Sequence, residues 1–324
     1  MNGSAQSLTQ PEPRLHSIFL GPNGLRAGWR LLIFFGIMVP AGYALGKVID
    51  SYTGGPDALP DTPSKGAIMM GGFAALVLLV SWIMAKIEGR SLAAYGLPWR
   101  RAFCRQYWQG AAVAVISLPI LLLTLRVAGV FSFGTPMLHG SDILKYGAAW
   151  IFAMFSAALL EDFFYRGYLL FTLATGIGFW PAAIATSLWM GGMHYLNPGG
   201  HGLGPIVATE YCLVTCLVIR RTDDLWMPLG IHSVWDWSAA FLYGVPSSGF
   251  AGHPRFLNAN LHGPAWLTGG TFGPEASVPA MIMLALWGLG FALFLREVKY
   301  PNPAAIPDPC KRTRLTRAPL AETA

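Results

Sequence analysis

Charge is what this sequence has least of. Asp, Glu, Lys and Arg together make up 12% of its 324 residues, about half of what a soluble globular domain carries. A soluble chain of this length has too much surface to cover with so few charges, so the composition excludes that class. Cysteine is scarce too: there are four, with no disulfide framework and no zinc-finger spacing. Cys212 and Cys216, one helical turn apart in an apolar run, read as small packing residues. Cys104 and Cys310 fall in basic segments assigned to the cytoplasm, where disulfides are rare. No H-E-x-x-H sequence occurs, so the common zinc-protease helix is absent. Residues 1–27 are polar and hold no short apolar stretch ending in a small-residue cleavage site, so no cleaved signal peptide is expected. No internal repeat is visible, which argues against a transporter built from inverted halves.

What the chain does have is apolar sequence. Hydrophobic residues make up 54% of it, and the mean hydropathy is positive. Eight apolar runs, at roughly 29–48, 66–87, 108–131, 146–174, 179–196, 203–220, 225–245 and 278–296, approach or reach the ~20 residues that cross a bilayer as a helix. The fold class expected is all-α, a polytopic membrane bundle of about eight transmembrane helices, with the fifth and sixth short for full spans. A polar segment over 1–27 precedes the bundle of 28–300, and a basic, disordered tail over 301–324 follows it.

The net charge of +6 is no nucleic-acid signature, because Lys and Arg cluster between and beyond the apolar runs. Arg90, Arg100, Arg101 and Arg105 lie in one loop, Arg220 and Arg221 in another, and Lys311, Arg312, Arg314 and Arg317 in the tail. With eight spans and the N-terminus inside, all three fall on one side, so both termini are expected in the cytoplasm. The loops 131–145, 197–202 and 246–277 then face outward.

Ionisable groups inside spans cost several kcal/mol unless paired, and so mark function or snorkelling. They are Arg126, Glu161, Asp162, Arg166, His194, Glu210, His232 and Asp236. Arg126, near the outer end of its span, reads as snorkelling, and Glu210 is not assigned. Asp162 and Arg166 stand four apart on one helix face and suit a mutual ion pair. Glu161 is rotated about 100° from Asp162 and is left to meet something else. A desolvated carboxylate suits proton transfer; the alternative is a Glu–Asp–Arg cluster that only fixes packing. His232 and Asp236 share a face in the seventh run, where they can orient an imidazole or offer two metal ligands. His194 follows Gly191 and Gly192, which let neighbouring helices come close, and it reads either as a site residue or as an interfacial histidine.

The order E-D-x-x-x-R (Glu161, Asp162, Arg166), then His194, then H-x-x-x-D (His232, Asp236) resembles the CPBP family of intramembrane proteases. That family comprises type 2 CAAX prenyl proteases and bacteriocin-processing enzymes, also labelled abortive-infection proteins. The segments SLAAYGL at 91–97, RGYLL after Arg166 and RRTDDLWMPLGIH before the last motif are similar to it as well, so the family-like core covers about 91–245. Three positions depart from the usual pattern: Asp162 stands for a second glutamate, Met190 for a phenylalanine and Asp236 for an asparagine.

The resemblance implies an intramembrane endopeptidase in a bacterial cytoplasmic membrane, acting on a peptide or membrane-protein substrate. Glu161 would be the general base, His194 would help position water, and His232 with Asp236 would face the oxyanion. Asp162 and Arg166 would hold the base's helix, and a cavity would open to the cytoplasmic side. This glutamate-type chemistry needs no cofactor. The competing chemistry is a zinc ion held by His194, His232, Asp236 or Glu161. A non-enzymatic scaffold or bacteriocin-immunity protein is the rival function. Counting rise per residue sets His194 roughly 10 Å farther out than Glu161 and His232, a mismatch that a later start of the fifth span would remove.

Overall fold

The structure is a computed structural model describing residues 18–21, 24–55, 58 and 60–301. Expectations for residues 1–17 and 302–324, including the basic tail and Cys310, lie outside the described residues. All eight apolar runs are helical. Helix α1 spans Ala27–Thr53, α2 Pro63–Ile87 and α3 Arg105–Val127. Helix α4, Ser141–Glu161, continues through a wide-turn segment, Asp162–Leu169, into α5, Leu170–Ile177. Then come α6 (Phe179–His194), α7 (Gly204–Thr222), α8 (Trp226–Trp237, extended by a wide-turn segment Ser238–Tyr243), the single turn α9 (Ala265–Thr268) and α10 (Val278–Phe294).

Four helical stretches, Ala27–Thr53, Pro63–Ile87, Arg105–Val127 and Ser141–Ile177, are long and apolar enough to cross a membrane. The shorter helices complete the bundle among them. Leu79, Ile116, Leu188 and Leu286 are exposed, as expected where lipid rather than protein covers a helix face. The molecule is an all-α membrane bundle. The only strands among the described residues are four of two residues each, β1 (Leu20–Gly21) with β2 (Gly24–Leu25) and β3 (Phe131–Ser132) with β4 (Asn260–Leu261), both pairs antiparallel.

The fourth run is not one straight span. Gly167 leaves helical geometry, with φ −92° and ψ −105°, and a Cβ there would lie 2.6 Å from the Phe163 ring. The helix bends at that point, one residue after the E-D-x-x-x-R motif. Wide helical turns of this kind recur at functional sites.

The basic loops gather on one face. Arg220 O accepts from the backbone N–H groups of Lys299 and Tyr300, and Arg221 donates to Arg296 O. The 88–104 segment lies on the same face and covers the start of α8: Leu225 N–H donates to Gly96 O at 2.8 Å, and Trp226 Nε1 donates to Pro98 O at 3.1 Å. Asp224, Leu225 and Trp226 are fully buried beneath it, and burial raises the Asp224 carboxyl above its ordinary range. Helix α8 therefore begins well inside the protein rather than at its surface.

Close backbone approach then fixes α8 against α3. A Cβ at Gly110 would collide with Met227 O, and one at Gly230 with Tyr107 O, so two glycines set this contact two residues before His232.

Candidate active site

Three helices bring the expected residues together. Glu161 closes α4, His194 closes α6, and His232 and Asp236 lie on α8. The Nε2 atoms of His194 and His232 each stand 3.9 Å from Glu161 Oε2. That is beyond hydrogen-bond length, and Glu161 Oε2 has no hydrogen-bond partner.

The depth mismatch is resolved, but not by a later start of the fifth span, since α6 begins at Phe179 as drawn. Glu161 and His194 lie almost equally far in sequence on either side of Gly178, so folding back at that turn sets them level. His232 joins them because α8 starts inside the protein. Helix α6 is seated against α7 by Gly191, where a Cβ would meet Thr209 Oγ1 and Pro205 O; Gly192 faces open space.

Hydrogen bonds assign the ring tautomers. His194 Nδ1 lies 2.9 Å from Met190 O. A carbonyl only accepts, so Nδ1 carries the hydrogen and the Nε2 of a neutral ring offers a lone pair toward Glu161. His232 Nδ1 lies 2.9 Å from Asp162 Oδ1 and donates to it in the same way. Its Nε2 then faces Asp236 Oδ2 at 3.3 Å, and one proton is required on that line to hold the two atoms together.

The Asp162–Arg166 ion pair forms as the spacing predicts, with both side chains fully buried. Arg166 also donates to Thr215 Oγ1 at 2.8 Å and stacks over Tyr211, 5.0 Å from its centroid. Asp162 does more than steady its own helix, because it holds His232 directly. Its four-residue spacing to Arg166 identifies one partner of the carboxylate and is silent about the other. Arg126 lies apart, over the Phe133 ring at 5.8 Å. Glu210 is not among the residues that line the site, and its Oε2 has no hydrogen-bond partner. Cys212 and Cys216 are buried free thiols.

A partly open cavity reaches His194, His232 and Asp236. Its walls are largely apolar, with Val207, Ile231, Met283 and Trp287 among them. Gly204, Ser248, Phe272 and Glu275 also contribute to its lining. These belong to the ends of helices and the loop opposite the basic face. At the basic end of α8 the 88–104 segment covers the helix start.

Two residues escaped the sequence reading. Tyr211 lines the cavity with its ring 5.5 Å from that of His232 and its hydroxyl without a partner. Glu275 sits in a loop, where a charge looks solvated and attracts no notice. Among the described residues, no group of three or more His, Cys, Asp and Glu side chains is arranged to hold a metal ion.

Residues 144–238 match the family model described as Rce1-like, type II CAAX prenyl endopeptidase. The match begins in α4, ends just beyond Asp236 and contains every residue of the three motifs. Over that stretch the chain is similar to this family, in keeping with the resemblance that the three motifs carry. Helices α1–α3 and the loop bearing Glu275 lie outside it. No curated protein matches the chain.

Proposed function

We propose that this protein is an intramembrane endopeptidase of the glutamate type, with Glu161 as the general base. The observation that carries the proposal is Glu161 Oε2, without a hydrogen-bond partner and 3.9 Å from each of two imidazole Nε2 atoms. A carboxylate and an imidazole lone pair at that spacing each accept a hydrogen from one water molecule, which fixes the water and leaves its oxygen free to attack.

Glu161 takes a proton from the water as its oxygen bonds to the scissile carbonyl carbon. The proton on the His232–Asp236 line faces the oxygen that becomes negative, and a single such donor is worth about 10²–10³ in rate. The C–N bond then breaks, and Glu161 returns its proton to the leaving amine. Asp162, neutralised by Arg166, holds the His232 ring so that Nε2 points into the site. No step uses a metal ion.

The substrate in this reading is a peptide or membrane-protein segment whose apolar side chains fill the cavity. The membrane in this reading is a bacterial cytoplasmic membrane. The test is hydrolysis by purified protein in lipid vesicles, with membrane peptides supplied in ¹⁸O-labelled water. New C-termini carrying one ¹⁸O atom, absent with Glu161→Gln, are the expected result. Products that form equally with Glu161→Gln would refute the assignment of the base.

A further inference from the structure

Glu275 lies just before α10, outside the matched family core, and is bound to the loop that lines the cavity. Its Oε1 accepts from Ser248 N–H at 2.6 Å and from Ser248 Oγ at 3.0 Å. Its Oε2 accepts from Trp235 Nε1 at 3.0 Å, next to Asp236 on α8. The fourth contact is Ser247 Oγ at 3.1 Å, and that same hydroxyl lies 3.0 Å from Asp236 Oδ1.

Ser248 has φ +49°, a left-handed conformation that costs a residue with a Cβ about 1 kcal/mol or more. The bond from its N–H to Glu275 is one of the contacts that hold it there. Asn197 Nδ2 donating to Ser248 O at 3.0 Å and Gly249 N–H donating to Phe272 O at 2.8 Å are the others. The loop is thus pinned across the site rather than draped over it.

The Ser247 hydroxyl has a single proton and two carboxylates within reach. What Glu275 takes of that proton, Asp236 does not receive. Removing Glu275 therefore changes the hydrogen bond that Ser247 gives to Asp236.

We infer that Glu275 is a positioning residue for hydrolysis: through Ser247 it sets the orientation and proton sharing of Asp236 opposite His232, and through Ser248 it holds the cavity loop in place. The inference rests on the endopeptidase reading of the same site. Outer residues that orient functional groups in this way typically change activity about 10–100-fold when removed.

The experiment measures kcat and KM for wild type, Glu275→Ala, Ser247→Ala, Asp236→Asn, the double variant Glu275→Ala/Asp236→Asn and Glu161→Gln. It also follows hydrogen exchange of the Ser248 amide. Glu275→Ala should lower kcat about 10–100-fold with KM within about threefold. The double variant should lose less than the product of the two single losses, because the two residues share the Ser247 link. Ser247→Ala removes that link without touching the Ser248 bonds, so it keeps the inference testable if Glu275→Ala folds poorly; its kcat should fall about tenfold. The Ser248 amide should exchange at least about tenfold faster in Glu275→Ala.

Unchanged kcat in both single variants, multiplicative losses in the double variant, or unchanged Ser248 exchange would each overturn the inference. If these occur while Glu161→Gln is inactive, only the role of Glu275 falls. An active Glu161→Gln sinks the base assignment, while the double-variant comparison and the exchange rates still decide Glu275.

Discussion

Two carboxylates stand at helix ends on either side of the same kinked segment: Glu88 caps α2, and Glu161 closes α4. Glu88 is 6% exposed, forms an ion pair with Arg30 and lies 3.7 Å from Arg90. It also accepts from the Tyr168 hydroxyl at 2.9 Å. Arg30, itself 3% exposed, reaches on to Thr175 and Thr172 and so ties α1 to α5. Glu161 is 31% exposed and faces two imidazoles that stop short of bonding it. The first cluster is closed by ion pairs and a tyrosine hydrogen bond that hold helices together. The second leaves a carboxylate oxygen, the His194 Nε2 and a tyrosine hydroxyl available at or beside a cavity. Burial and charge alone do not separate a packing device from a reactive site; unspent capacity at a cavity does.

The largest effect should come from breaking the open cluster. Glu161→Gln is expected to lower the cleavage rate about 10³-fold, within the range for loss of a general base. Its melting temperature in detergent should stay within a few degrees of wild type, since Glu161 makes no hydrogen bond through its buried oxygen. A parallel loss of stability would place Glu161 with Glu88 as a packing residue.

Glu88→Ala should do the reverse. It strands the Arg30 guanidinium without its carboxylate, a change that costs about 3–5 kcal/mol when the pair is buried. The melting temperature should drop markedly while the rate per folded molecule stays close to wild type. A selective loss of rate would mean that the two clusters are coupled.

Gly191→Ala sharpens the comparison by moving a site residue without changing its chemistry. The new methyl meets Thr209 and Pro205 O on α7, and overpacking of this kind costs about 1–3 kcal/mol. Both stability and rate should fall, because His194 moves with α6. Gly192→Ala, which meets nothing within 4 Å, should change neither. Equal behaviour of the two variants would contradict the α6–α7 contact described above.

The smallest effect expected is none. Exhaustive chelation of metal ions should leave the rate within about twofold, since the proposed hydrolysis is general-base catalysis without a Lewis acid. A loss restored by zinc would replace the glutamate-type chemistry with the metal-dependent one.

Much of this was legible in the sequence because lipid imposes it. A membrane helix must be apolar along its length, so the runs announced themselves, and each charge within them stood out against that background. Glu161, Asp162, Arg166, His194, His232 and Asp236 were all found in this way, and the structure brings all six into one connected cluster.

What escaped has physical reasons too. The bend at Gly167 depends on ψ and on the Phe163 ring, neither of which appears in a hydropathy pattern. Arg30 and Glu88 sit at helix ends, where charges are ordinarily snorkelling flanks, so their burial was invisible. Glu275 lies in a loop, and only the folding of that loop onto α8 gives it its bonds. The depth of His232 relative to His194 was misjudged because the count of residues treats each helix as starting at the surface, whereas α8 starts beneath the 88–104 segment.

The most direct test of the central claim compares peptide N-termini in membranes of the native host carrying wild type or Glu161→Gln at matched levels. The account requires a set of new N-termini, at sites flanked by apolar residues, that is present with wild type and absent with the variant. Identical sets in the two membranes, under conditions where loss of the gene has a phenotype, would contradict it and return the polar cluster to a packing role.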